Sequence, residues 1–240
     1  MNIDMIGFDA DDTLWHTETH YRQAQEDFEH LLNPWAKAEH ISQVLDQVII
    51  KNLPGYGYGI KAFTLSLIEA AIHISKGEIS GEQVDLILSI GKKMLAAEIV
   101  LRPHVLDTLQ ALKPSYPLMI ITKGDLLDQT TKVTHSGIGD YFSIVEVVNE
   151  KTPEAYAHLF EKHHIRPDHF LMVGNSIRSD IHPILALGSN AVHIPADSTW
   201  EHEMVPGFDT AQRGFFELQH MGQLPDLINR ISTHYQIDKG

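Results

Sequence analysis

Cysteine is absent from all 240 residues, which excludes disulfides, zinc ribbons, iron–sulfur clusters and thiol nucleophiles. Basic residues are few. Against 32 Asp and Glu stand 18 Lys and Arg, and a net charge of −14 argues against sequence-independent nucleic-acid binding, which needs cations to neutralise phosphates. No stretch reaches the roughly 18 continuous apolar residues of a membrane span. MNIDMIGFDADD at the start carries acids where a secretion signal would carry basic residues and an apolar core, so the expected location is the cytoplasm. The HExxH pattern is also missing, and the 16 histidines are scattered. His163 and His164 are adjacent, and neighbours on a helix point apart, so they do not easily share an ion. An anionic ligand would need a local positive site from a metal or a lysine.

What is present is an alternation. Strand-like runs recur at Ile3 to Phe8, Pro117 to Ile121, Phe142 to Val148, Phe170 to Val173 and Ala191 to Ile194. From the second onward they alternate with helical stretches at Leu126 to Ser136, Glu154 to His164 and Ile181 to Leu187. That order predicts an α/β fold, a parallel sheet covered on both faces, with ligands bound beyond the carboxyl ends of the strands. Residues 16–102 read differently, as helix-period segments at Thr17 to Leu32, Glu39 to Lys51, Ile60 to Ser75 and Gly81 to Val100. Ser80 and Gln83 fit a capping box. The expected organisation is an α/β core of residues 1–15 and 103–240 with a helical insertion at 16–102. PGYGYGIK misses both phosphate-loop templates, having Ile60 where GxGxxG needs Gly, and reads as a turn between helices.

MIGFDADDTLW, residues 5 to 15, crowds Asp9, Asp11 and Asp12 directly after a buried strand. Like charges so close resist ionising together, so a cation should sit among them. Later strand ends supply Thr122, Lys123 and Gly124 in IITKGD, Lys151 in NEKTPEAY, and Gly174, Asn175, Ser176 and Asp180 in LMVGNSIRSD. Any one of these sets could be helix capping; together at strand ends they converge on phosphoryl transfer. Oxygen ligands from Asp9, Asp11 and Asp180 suit Mg²⁺, a hard ion. The hydroxyl and amides of TKG form an anion site, and a lysine neutralises charge on the transferring oxygens. A carboxylate held against Mg²⁺ can itself attack phosphorus.

DADDT, Thr122, Lys151 and GNSIRSD, in this order across residues 9 to 180, resemble the four motifs of the haloacid dehalogenase superfamily. That resemblance implies a doubly wound sheet with a mainly helical cap inserted after the first motif. It implies Asp9 as nucleophile, Asp11 as general acid and then base, Thr122 on the phosphoryl group, and Lys151 holding that group and Asp9. Lys123, next to Thr122, competes with Lys151 for this place. The metal would be held by Asp180, the Asp9 carboxylate and the Asp11 carbonyl. Asn175 stands where many relatives have an acid, so it is expected as an outer, uncharged ligand with weaker Mg²⁺ binding. Asp12 is expected to shape the turn, and Ser176 and Asp125 to start helices. The WEHE stretch, residues 200 to 203, reads as an ordinary surface loop.

The expected activity is a Mg²⁺-dependent phosphatase for a small phosphorylated metabolite, working through an aspartyl-phosphate. Two enzyme alternatives come from the same superfamily. Haloacid dehalogenases lack the second Asp of DxDxT, so Asp11 argues for phosphate, whereas a sugar-phosphate mutase would use the same set. A phospho-accepting receiver domain also combines an acidic cluster with Thr and Lys at strand ends. It would need an acceptor Asp ending the third strand, where VEVVNEK offers Asn149 and Glu150, and it has no use for a long helical insertion.

Overall fold

Alternate residues of the strands pack on opposite faces of one sheet, as a side-chain period of two requires. A computed structural model describes residues 2–196 and 200–237. Its strands are β1 (Met5–Phe8), β2 (Leu118–Lys123), β3 (Ile144–Val148), β4 (Phe170–Gly174), β5 (Asn190–His193) and β6 (Phe215–Glu217). They lie in the order β3-β2-β1-β4-β5-β6, and the pairs from β2 to β6 are parallel. Phe8 is level with Ile120 on one side and Val173 on the other. The residues that follow β1, β2 and β4 therefore emerge at one edge.

The helices among the described residues are α1 (Glu18–Leu32), α2 (Ala38–Tyr56), α3 (Ile60–Ile74), α4 (Gly81–Leu95), α5 (Val105–Leu112), α6 (Leu126–His135), α7 (Pro153–His163), α8 (His182–Ala186) and α9 (Leu224–Ile237). Ile6, Phe8, Leu118, Ile120, Leu171 and Val173 pack with Val105 and Leu109 of α5 and Leu224 and Ile228 of α9. Met119, Ile121, Phe170 and Met172 pack with Tyr156, Leu159 and Phe160 of α7 and Ile184 of α8. Each such side chain fully removed from water contributes about 1.5–3 kcal/mol. The sheet is thus doubly wound, as expected.

The chain divides into two compact units, Met1–His16 with Ile99–Thr122 and Lys132–Gly240, and Thr17–Glu98 with Lys123–Thr131. The second is helical. Its core takes Phe28 and Leu32 from α1, Ile41, Leu45 and Val48 from α2, Ile60, Phe63, Leu67, Ala70 and Ala71 from α3, and Ile87, Ile90 and Met94 from α4, the i, i+3, i+4 stripes of amphipathic helices. Gly91 lets α4 approach α3 closely, since a Cβ there would lie 2.2 Å from Thr64 Oγ1. The Ser80–Gln83 capping box forms, with Gln83 N donating to Ser80 Oγ at 3.2 Å and Ser80 N to Gln83 Oε1 at 2.9 Å.

Some boundaries differ from expectation. Helix α2 runs through Pro54 to Tyr56, three residues into PGYGYG, and stops where Gly57 adopts a φ of 70°. Proline so near the end forfeits a single ladder bond, so the last turn survives. Helix α4 stops at Leu95 instead of Val100, and Val100 O accepts from His16 N at 3.0 Å. Helix α5, strand β6 and helix α9 were not expected; β6 has three residues, too few to show a period. No described helix is long and apolar enough to cross a membrane.

Candidate active site

Strand β1 delivers Asp9 to the sheet edge still in register, its N–H donating to Val173 O at 2.9 Å. A tight turn follows, with Thr13 N and Leu14 N both donating to Ala10 O. Asp12 sits in this turn at a φ of 61°, as its expected turn role requires, and its carbonyl accepts from Arg102 Nη1. The turn brings Thr13 back, so that Thr13 Oγ1 donates to Asp9 Oδ2 at 2.9 Å.

Lys151 meets the other Asp9 oxygen. Thr152 caps α7, accepting from Ala155 N, and Pro153 occupies the first turn, so Lys151 projects from just before the helix. Its Nζ lies 2.6 Å from Asp9 Oδ1 and 2.7 Å from Asp180 Oδ1, with the ammonium and the Asp180 side chain 1% exposed. Burial pushes the Asp9 carboxyl up to about 7, with Lys151 pulling against it and Asp180 reinforcing it. Burial also works against the Lys151 ammonium, but Asp180 and Asp9 outweigh it and hold Lys151 above the ordinary lysine value.

Asp180 lies in a π-turn, Ile177–Ile181, a form frequent at functional sites. Its Oδ2 accepts from Ser176 N at 3.0 Å, and Ser176 Oγ accepts from Ser179 N in the helix-start role expected of it. Gly174 makes room for it: a Cβ there would lie 2.3 Å from the Asp180 carboxyl. Tyr156, fully buried, donates to Ser179 O at 3.1 Å.

Asp11 has a different set of partners. Trp15 Nε1 donates to its Oδ1 at 2.8 Å, and Lys132 Nζ lies 3.1 Å and 3.3 Å from its two oxygens. Sequence reasoning missed both. Trp15 offered a signal, being four residues from Asp11 across a turn, but Lys132 lies 121 positions away on α6 and looks like any helix lysine until the fold buries it.

Thr122 is buried at the end of β2. Lys123 Nζ stands 4.0 Å above the ring centre of Tyr58, in the helical unit. Gly124 adopts a φ of 134°, and Asp125 starts α6 by accepting from Asp128 N at 3.0 Å while pairing with Lys61 at 2.8 Å. The WEHE stretch is more than the surface loop expected. Glu203 Oε2 accepts from Ser176 Oγ at 2.5 Å and Ser179 Oγ at 2.6 Å, a pairing across 27 and 24 positions that no local pattern announces.

Among the described residues, no three His, Cys, Asp or Glu side chains gather as a metal cage. A different oxygen set does converge. The outer atom of the Asn175 amide that faces inward lies 3.3 Å from Asp9 Oδ2, 3.3 Å from the Asp11 carbonyl and 3.1 Å from Thr13 Oγ1. With its nitrogen inward, the amide donates to these oxygens; with its oxygen inward, it accepts from Thr13 Oγ1 and faces the Asp9 and Asp11 oxygens. Asp9 and Asp180 also leave one negative charge uncompensated by Lys151. These residues fit a hard cation.

The family model described as "Hydrolase: haloacid dehalogenase-like hydrolase" matches residues 3–188. A haloacid dehalogenase-like family hydrolase from Xanthomonas campestris superposes with a TM-score of 0.86 at 32% identity, over 98% of this chain and 94% of its own. The putative HAD-hydrolase YfnB from Bacillus subtilis, solved bound to magnesium, gives 0.69 at 16% identity, over 95% and 100%. L-2-haloacid dehalogenase from Xanthobacter autotrophicus gives 0.64 at 18%, over 95% and 98%. No curated protein matches the chain.

Proposed function

The chain belongs to the haloacid dehalogenase-like hydrolases, and from that membership we propose that it is a Mg²⁺-dependent phosphatase of a small phosphorylated metabolite in the cytoplasm. Asp9 is the nucleophile: its carboxylate attacks phosphorus, the ester P–O bond breaks, and an aspartyl-phosphate forms. Asp11 gives its proton to the departing alkoxide. It then takes a proton from the water that attacks the aspartyl-phosphate, and inorganic phosphate leaves as Asp9 is restored. Thr122, with the amides of Lys123 and Gly124, binds the phosphoryl oxygens, and Lys151 orients Asp9 and neutralises charge on them. Asp9, the Asp11 carbonyl, Asp180 and Asn175 are the groups that would hold Mg²⁺, which when bound would supply further positive charge near the phosphoryl oxygens.

The observation that carries this reading is the carboxylate of Asp11, kept at the site by Trp15 and Lys132. A departing halide needs no proton; a departing alkoxide does. Purified protein should release phosphate from an aryl phosphate with Mg²⁺ and lose this with a chelator. Full activity in chelator, or halide release from a 2-haloacid with no phosphate release, would overturn the reading.

A further inference from the structure

A divalent cation among Asp9, Asp180 and Asn175 would meet less negative charge than the residue count suggests. The Lys151 ammonium bridges the two carboxylates and cancels one of them, and Asn175 is neutral. Cation affinity at oxygen sites depends on the charge of the ligands. A further carboxylate is nevertheless bound to the same loop. Glu203 ends a short 3₁₀ turn and holds the hydroxyls of Ser176 and Ser179 at 2.5 Å and 2.6 Å. Ser176 in turn donates its N–H to Asp180 Oδ2, so the Glu203 charge is two hydrogen bonds from the Asp180 carboxylate. Arg178 Nη1 donates to His202 O at 3.1 Å and ties the same turn down. Without an acceptor at position 203, Ser176 and Ser179 would lose the group that orders both hydroxyls.

We propose that Glu203 is a positioning residue of the metal site: its carboxylate orders the Ser176–Asp180 turn and supplies the negative charge that Asn175 withholds. The inference rests on the metal-dependent reading above. Partners that orient metal ligands typically change affinity by about 10–100-fold when removed.

The test is direct binding of Mn²⁺, followed by electron paramagnetic resonance, and of Mg²⁺, followed by calorimetry, to the full chain. Glu203→Gln keeps an oxygen acceptor for the serines and removes the charge, and should weaken binding about tenfold. Glu203→Asp, which keeps the charge, should weaken it less. Asn175→Asp combined with Glu203→Gln should return affinity to near the wild-type value, because the missing charge comes back at the neighbouring position. Unchanged affinity in Glu203→Gln, or a loss that Asn175→Asp leaves uncorrected, overturns the inference and makes Glu203 a loop contact only. A wild-type protein that binds neither ion overturns the metal-dependent reading itself, before any variant is compared.

Discussion

Asp9 and Asp11 stand two residues apart, yet the fold gives them opposite surroundings. Asp9 is buried, its oxygens divided between Lys151 and Thr13, and burial raises its carboxyl to about 7. Asp11 is half-buried and held by an indole N–H and a second lysine, Lys132. A nucleophile must keep one orientation and meet little water. A group that passes protons to an alcohol and then to water must reach both. Paired acids with divergent surroundings are the mark of divided labour in acid–base chemistry. On the proposed reading, the turn after β1, rather than the acids themselves, separates the two roles.

The largest effect that would break this comparison is at Asp9. Asp9→Asn should lower turnover by at least about 10³-fold and abolish an acid-labile phosphoenzyme; a phosphoenzyme persisting in that variant moves the nucleophile elsewhere. Asp11→Asn should cost about 10²–10⁴-fold with an alkyl phosphate, and much less with an aryl phosphate whose leaving group needs no proton. Equal losses on both substrates would remove Asp11 from proton transfer.

The lysines sharpen the contrast further. Lys151→Ala leaves Asp9 and Asp180 buried together without their cation. It should lower turnover about 10²-fold and destabilise the fold by about 3–5 kcal/mol in denaturant titrations. Lys123→Ala loses a cation–π contact with Tyr58, worth about 0.5–1 kcal/mol at such sites, and should keep most of its turnover. The reverse ranking would transfer the phosphoryl-holding role to Lys123. An effect between those two is expected at Lys132, where Lys132→Met should reduce alkyl-phosphate turnover about tenfold by loosening Asp11, with Lys132→Arg recovering much of it. An unchanged kcat would remove Lys132 from the orientation of Asp11.

Much of the candidate site was legible because ligand-facing groups of an α/β sheet lie past the carboxyl ends of strands, and strand ends show as apolar runs that stop at polar residues. Asp9, Thr122, Lys151 and Asp180 each follow such a run. Asn175 was legible as a departure, through the missing charge. Lys132 and Glu203 were not, since one lies in mid-helix and the other in a loop after β5. Their importance comes from partners 121 and 27 positions away. Helix α9 shows its stripe of Leu224, Leu227, Ile228 and Ile231 once its start is known, but a preceding segment of short turns obscures that start.

By itself, the amino-acid order determined the apolar strand runs, the helical texture between residues 16 and 102, the turn chemistry at Asp12 and Thr152, and four sets of polar residues awaiting a common edge. Those are local consequences of side-chain spacing and backbone preference. Only the tertiary structure decided that Phe8, Ile120 and Val173 lie level, that Lys151 bridges Asp9 and Asp180, that Lys132 serves Asp11, and that Glu203 closes on the Asp180 turn. Charges find partners by distance in space, and that distance is set when hydrophobic burial on both faces of the sheet fixes the register of strands far apart in the chain.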